Sequence, residues 1–158
     1  MSVDRRDVRI ATVDDADDVG RLLHDFNVEF DTPTPGAAVL AARLRALLAS
    51  STTFAILAGV PAVGVALVTL RSNVWYDGRV ALLDELYVAP DRRDRGIGTA
   101  MIDELLSYAA THDVDLIEIN VDEGDIDAQR FYVRHGFSST EPPTNERAFY
   151  FFRELAGS

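Results

Sequence analysis

A turn rich in glycine and arginine is the segment best suited to bind an anion. It follows an apolar, strand-like stretch and opens an amphipathic helix. The first amides of a helix have no partner within it and lie at the positive end of its dipole. The segment therefore predicts a phosphate site rather than an ordinary solvated strand-to-helix turn. Its residues are Arg93, Asp94, Arg95, Gly96, Ile97, Gly98 and Thr99.

Two adjacent carboxylates, Asp84 and Glu85, interrupt the apolar run 80–88 just before this turn. Neighbouring strand residues face opposite sides of a sheet, so at least one carboxylate faces a covered side unless the strand is bulged. A buried carboxylate without a partner is costly. The pair therefore predicts a partner, a ligand or a wet cleft, and the alternative is one edge charge beside one structural ion pair.

Three motifs occur together around the turn. Leu86-Tyr87-Val88-Ala89-Pro90 precedes it, the spacing Arg-x-x-Gly-x-Gly spans residues 93–98, and Ala128-x-x-Phe131-Tyr132-x-x-x-Gly136-Phe137 follows. This combination resembles the GNAT superfamily of acetyl-CoA-dependent N-acetyltransferases. The resemblance is strong over residues 80–137 and rests on element order elsewhere.

The resemblance implies where acetyl-CoA binds. No metal ion is expected, because the chain has no cysteine and its three histidines are scattered. The amides of residues 94–99 would hold the CoA pyrophosphate, with Arg93 at the family's basic-or-Gln position and Asp94 where many members have Gly. The amides of Leu86, Tyr87 and Val88 would pair with the pantetheine arm like an added strand. Asp125 occupies a position where the family often has an Asn that contacts the cofactor.

Tyr132 matches the family's general acid, which protonates the departing CoA thiolate. A phenol with a pKa near 10 can donate to a thiolate whose conjugate acid has a pKa near 8.5 at modest cost. The alternative is a half-buried helical tyrosine with no chemical role.

Residues 83–88 look like the Leu-Glu-Asp-hydrophobic-aromatic-Val run of the diamine (polyamine) N-acetyltransferase branch, with the order of the two acids reversed. Trp75 matches a tryptophan of that branch. In the branch, this carboxylate pair binds and deprotonates the amine. An alkylammonium has a pKa of about 10.4, so freeing its lone pair at pH 7 costs roughly 4 to 5 kcal/mol. Asp84 or Glu85 would orient the amine and relay its proton through water.

Composition narrows the class of protein. The 158 residues, 47% of them hydrophobic, suit one domain over 1–158. The absence of cysteine excludes thiolate catalysis and disulfides, so acetyl transfer is expected to be direct. The net charge of −11 argues against nucleic acid and fits cationic small molecules, although it also fits a merely soluble surface. No run approaches a membrane span, and we expect a cytoplasmic protein.

The predicted element order is β-α-α-β-β-β-α-β-α-β, which indicates a mixed α/β fold with a mostly antiparallel, GNAT-like sheet flanked by helices. A dinucleotide-binding fold is the competitor, but its glycine turn would follow the first strand. The last predicted strand covers residues 149–155. Its apolar start, residues 149–152, would be core or half of a homodimer interface. Predicted strands also cover 8–11, 53–58, 62–70, 80–88 and 116–121, with helices at 97–110 and 127–134.

These features predict an N-acetyltransferase that acts on a primary amine, with a small polyamine-like or amino-acid-like acceptor favoured. A protein N-terminus or an aminoglycoside is the alternative acceptor. A non-catalytic acyl-CoA sensor and a nicotinamide-binding protein are the alternatives from other classes.

Overall fold

The computed structural model describes residues 7–156, and its main feature is a five-stranded sheet. The strands lie in the order β1-β2-β3-β4-β5, antiparallel except for the parallel pair β4 and β5. The elements are β1 (Val8–Ile10), α1 (Ala16–Glu29), α2 (Ala37–Ala49), β2 (Thr53–Ala58), β3 (Gly64–Ser72), β4 (Arg79–Val88), α3 (Ile97–Thr111), β5 (Val114–Ile119), α4 (Ile126–Arg134), β6 (Thr140–Glu141) and β7 (Glu146–Arg147). The mixed α/β class predicted from the sequence is confirmed.

The chain divides into two compact units at the end of β5. The first unit, described from residue 7 to residue 119, holds the five-stranded sheet and α1 to α3. The second, described from residue 120 to residue 156, holds α4 and the hairpin of β6 and β7. The single domain expected over 1–158 stays a prediction. Between residues 7 and 156, no helix is both long and apolar enough to cross a lipid bilayer.

Each face of the main sheet is covered by helices. On one face, buried side chains of α1 and α2 pack on alternate residues of the central strands, including Leu57, Val65 and Tyr87. On the other face, Tyr108 of α3 stacks on Phe54 with ring centroids 4.1 Å apart. The alternation of strand residues between two buried faces accounts for the near-continuous burial of β2.

The strand expected at residues 149–155 is wrong. Residues 148–155 form no strand, and the short hairpin of β6 and β7 precedes them. Four consecutive aromatics would place large side chains on both faces of a strand, and both faces would then need cover. Here Phe149, Tyr150, Phe151 and Phe152 are 69–90% exposed, so they are not core residues.

Candidate active site

A β-bulge in β4 sets the position of the two adjacent carboxylates. Leu67 of β3 lies opposite Glu85, whereas the next residue, Val68, lies opposite Leu83. Asp84 is therefore an extra residue with no direct partner on β3. Such a bulge locally breaks the alternation of side chains between the two faces of a strand.

Both carboxylates consequently lie on the face of the sheet that α1 and α2 cover. Glu85 shares the face of Leu67, which packs against the α1–α2 core. Thr69 is two residues from Leu67 on β3, so its side chain lies on the same face. The Thr69 hydroxyl donates to Asp84 Oδ2, which places Asp84 on that face as well. The sequence predicts opposite faces for these two residues unless the strand is bulged, and β4 has such a bulge.

The environment of the two acids differs. Asp84 is exposed, whereas Glu85 is half-buried. Burial raises the pKa of Glu85 above its ordinary value, and the neighbouring charge of Asp84 raises it further. Within residues 7–156, neither carboxylate forms an ion pair with a basic side chain. A cation brought to this pair would therefore relieve an unfavourable charge.

Beyond the bulge, none of the strands described between residues 7 and 156 lies beside one edge of β4. The parallel pairing with β5 begins at Arg79 and ends where Leu83 lies opposite Ile119. The remaining residues of β4, up to Val88, pair only with β3 among the described strands. Backbone groups on such an edge can accept an extended ligand as an additional strand. Leu86, Tyr87 and Val88, which the resemblance assigned to the pantetheine arm, lie on this edge.

The glycine turn has the backbone shape of an anion cradle. Gly96 has φ +79°, in the left-handed region, and a Cβ built there would meet no atom within 4 Å. Helix α3 begins directly after it, at Ile97. Open space above left-handed backbone at a helix start is the arrangement that receives phosphate. Asp94 also has a left-handed φ, +61°, which explains why many family members have glycine at this position.

Arg93, the first residue of the turn, is held by two other elements, α1 and β4. Its Nε donates to the carbonyl of Val88 at 3.0 Å, and its two terminal nitrogens lie 2.8 Å from the two carboxylate oxygens of Glu29. The hydroxyl of Tyr87 donates to the same Glu29 carboxylate at 3.1 Å. Through these bonds the end of α1, the end of β4 and the turn are joined at one point.

The charges of this cluster support one another. Hydrogen bonding to Arg93 lowers the pKa of Glu29, and the Tyr87 hydroxyl lowers it further, against the opposing effect of burial. Burial raises the pKa of Tyr87 to about 12, with a contribution from its bond to Glu29. Glu29 is therefore ionised and Tyr87 is neutral at physiological pH.

Two predicted site residues belong to the second unit. Tyr132 is a half-buried residue of α4 whose ring packs edge-on against Phe131 and Phe137, with centroids 5.2 and 5.8 Å away. Asp125 is the N-cap of α4, and its carboxylate accepts from the amide of Ala128 at 3.1 Å. The carboxylate of Asp125 thus has a structural partner, and its contact with the cofactor stays a prediction.

Sequence reasoning missed Glu29 and Thr69. A signal for Glu29 was present, because an acidic residue in the last turn of a helix opposes the helix dipole unless a cation compensates it. No signal marked Thr69, because its role depends on the bulge. No group of three or more His, Asp or Glu side chains suited to a metal ion occurs in the described part of the chain.

The motifs and fold agree with a known family. A family model described as the acetyltransferase (GNAT) family matches residues 19–137. The chain belongs to the GNAT acetyltransferase family. It is accordingly an acyltransferase, as the sequence predicts. An uncharacterized N-acetyltransferase of Methanocaldococcus jannaschii is 40% identical over 62 residues, which is 39% of this chain and only 27% of the length of that relative.

Solved structures share the GNAT fold. A candidate acetyltransferase from Arthrobacter sp. FB24 is 48% identical, with a TM-score of 0.88 over 94% of this chain and 95% of that one. An aminoglycoside acetyltransferase from an uncultured soil sample, solved with sisomicin, is 18% identical, with a TM-score of 0.77 over 94% and 95% of the two chains. A ribosomal-protein-alanine N-acetyltransferase from Brucella melitensis is 21% identical, with a TM-score of 0.75 over 94% and 99%. The last two likenesses concern the fold alone.

Proposed function

We propose that this GNAT enzyme transfers the acetyl group of acetyl-CoA directly to the primary amine of a small cationic acceptor, polyamine-like or amino-acid-like. The observation that carries the proposal is the bulge that brings Asp84 and Glu85 to one face of the sheet. Two carboxylates there, without a basic partner among residues 7–156, are suited to a ligand with a positive charge.

The first unit offers groups that fit acetyl-CoA. The left-handed backbone and open space at Gly96, followed by the start of α3, suit a pyrophosphate. The unpaired edge of β4 from Leu86 to Val88 suits an extended amide-containing arm, which would align with the strand. When bound, acetyl-CoA supplies a thioester whose acetyl group an amine can accept.

The acid pair would then prepare the amine. Asp84 and Glu85 bind the ammonium form, and its proton passes to a carboxylate through water before the nitrogen forms its bond to the acetyl carbon. A carboxyl with a raised pKa is a better proton acceptor than an ordinary one. Glu85, whose pKa burial raises, is therefore the proposed base, and Asp84 is the proposed orienting charge.

Tyr132 is the proposed acid that gives a proton to the sulfur as the carbon–sulfur bond breaks, and the second proton, which the acceptor nitrogen loses as the amide forms, restores the phenol through solvent. We expect Tyr132→Phe to lower kcat by about 10²-fold, because the ring keeps its packing and only the proton is lost. By calorimetry, this variant should bind acetyl-CoA with the same affinity as the native enzyme. Unchanged turnover in a variant whose chemical step limits the rate would remove Tyr132 from the mechanism.

The proposal is tested by measuring acetyl-CoA turnover with a panel of acceptors. The panel contains diamines, free amino acids, an aminoglycoside and a peptide with a free N-terminus. We expect kcat/KM to be highest for a small diamine or a basic amino acid. Preference for the aminoglycoside or peptide would replace the acceptor assignment, and calorimetric binding of acetyl-CoA without any turnover would support a sensor instead.

Two further expectations from the sequence stay predictions. One is a homodimer, for which the exposed aromatics of residues 149–152 are the candidate contact. Sedimentation equilibrium of the native chain and of Phe151→Ser tests this. The other is a cytoplasmic location.

A further inference from the structure

The cluster around Glu29 lies next to the proposed coenzyme turn but is not explained by phosphate binding. A basic residue at the start of such a turn is expected to direct its charge toward the phosphates. Here the guanidinium of Arg93 is instead engaged by the Glu29 carboxylate and the Val88 carbonyl, and it lies 5.6 Å from the centroid of the Tyr87 ring. Its charge is largely compensated.

The geometry of these contacts is that of a clamp. A guanidinium that meets both oxygens of one carboxylate is fixed in direction as well as position. The additional bond from Nε to Val88 joins the first residue of the turn to the last residue of β4. Together these bonds fix the path by which the chain leaves the strand and enters the left-handed residues of the turn.

The carboxylate of the clamp comes from α1, far away in sequence. Glu29 is the last residue of that helix, where its charge opposes the helix dipole. The adjoining turn of α1 is fixed against β4 as well, because Phe26 stacks on Tyr87 with centroids 4.9 Å apart. The charge of Glu29 is thus unfavourable at the end of its own helix but favourable beside Arg93.

We infer that Glu29 is a positioning residue for coenzyme binding: it holds Arg93 so that the backbone amides of the turn, rather than this guanidinium, meet the pyrophosphate. The inference rests on the proposed use of acetyl-CoA. It makes the end of α1 part of the coenzyme site without direct contact between Glu29 and the ligand.

Positioning and simple electrostatics predict opposite results when the carboxylate is neutralised. If only charge mattered, Glu29→Gln would remove a negative charge near a bound anion and tighten binding. If Glu29 positions the turn, the same change loosens Arg93 and weakens binding. We expect the Kd for acetyl-CoA, measured by calorimetry, to rise roughly five- to tenfold, in line with loss of a partly exposed charge-assisted pair.

A double-mutant cycle identifies the route of the effect. Since Glu29 acts through Arg93, Glu29→Gln should change the Kd little in an Arg93→Ala background. In steady state, the KM for acetyl-CoA should rise while kcat at saturating acetyl-CoA stays near the native value. Asp17→Asn is the matched control, because Asp17 also joins α1 to an arginine, Arg45, at 2.8 Å but on the α2 side. Its Kd should equal the native one.

The outcomes separate this inference from the proposed function. If the native protein does not bind acetyl-CoA, the proposed function fails. If the native protein binds it and Glu29→Gln binds equally well or better, or if the two substitutions have additive effects, only the inference fails. Should Glu29→Gln not fold, Tyr87→Phe removes one hydrogen bond to Glu29 and should weaken binding in the same direction by a smaller factor. An unchanged Kd there would overturn the inference.

Discussion

Glu85 illustrates a conflict between stability and function at the scale of one residue. Burial, aided by the Asp84 charge, raises the pKa of Glu85 in the folded state. The folded state therefore disfavours the ionised form of Glu85. The resulting loss of stability is complete at pH values above the pKa of Glu85 in the folded state. It fades as the pH falls toward the unfolded value of 4.5. The feature that makes Glu85 a suitable base thus lowers stability at neutral pH.

We predict that Glu85→Gln raises the free energy of unfolding at pH 7 while it removes most of the activity. The gain should shrink toward zero near about pH 4, where the native carboxyl is largely protonated. Urea unfolding at the two pH values measures this. Glu154→Gln is the control, since Glu154 is exposed and the same change there should yield no such gain. Equal gains at both pH values would contradict the assignment of burial as the cause.

Asp94 is unfavourable both for the backbone conformation at its position and for the anion expected at this turn. Its φ of +61° is unfavourable for a residue with a Cβ, and its carboxylate lies in the proposed pyrophosphate turn. Asp94→Gly removes both effects, whereas Asp94→Asn removes only the charge. We predict tighter acetyl-CoA binding in both variants, measured by calorimetry. The stability of Asp94→Gly should change by less than about 1 kcal/mol, because relief of strain is offset by the freedom of glycine in the unfolded chain. Weaker binding in both would show that the Asp94 side chain supports the turn.

Candidate site residues could be chosen from the sequence, but their arrangement could not. Gly96 and the acid pair were identifiable because their types are unusual in an apolar strand and at a helix start. The common face of Asp84 and Glu85 was not, because a bulge depends on the register with β3 and leaves no local pattern. The Glu29–Arg93 pair joins residues 64 positions apart, and only the folded chain shows it.

Among the elements, the packing of α1 on α2 depends on a glycine. A Cβ at Gly20 would lie 2.9 Å from the amide nitrogen of Ala41 and 3.0 Å from the carbonyl oxygen of Ala37, both backbone atoms that cannot rotate away. Gly20→Ala should gain up to about 1 kcal/mol in helix propensity and lose roughly 1–3 kcal/mol to overpacking. The overpacking is expected to win.

We therefore predict that Gly20→Ala lowers the free energy of unfolding by about 1–2 kcal/mol, measured by urea denaturation. Gly124→Ala is the matched control, since a Cβ there meets no atom within 4 Å and its φ is not left-handed. It should be neutral or slightly stabilising. A stabilised Gly20→Ala would mean that α1 and α2 separate at little cost.

Most elements could be predicted because hydrophobic periodicity follows burial. The strand predicted at 53–58 has the observed bounds of β2, and α3 begins at the predicted residue. The strand predicted at 62–70 is instead Gly64–Ser72, because backbone pairing with Arg79 and Val80 extends it through polar residues that carry no apolar signal. The strand prediction at residues 149–155 failed for the opposite reason. Their apolar character is strong, but it does not coincide with strand pairing or burial in the structure.

For the whole molecule, the net charge of −11 is a second way to attract a cationic acceptor. Long-range attraction from many surface carboxylates would raise the encounter rate, and it would be screened within about 10 Å at 0.1 M salt. A pair of carboxylates in direct contact with the ammonium is screened much less. Salt dependence therefore separates overall steering from recognition by Asp84 and Glu85.

We predict that kcat/KM for a diamine falls only moderately between about 0.05 and 0.5 M salt in the native enzyme. At the higher salt, Asp84→Asn or Glu85→Gln should still lose most of the activity, because the local hydrogen bonds and the proton acceptor are gone. Asp17→Asn again removes one negative charge elsewhere and should leave kcat/KM near the native value. If salt abolished diamine turnover while both site variants and the double variant kept near-native kinetics, the surface charge would be the selective element. The acid pair would then have no role in acceptor choice, and the assignment to the broader GNAT family would be unaffected.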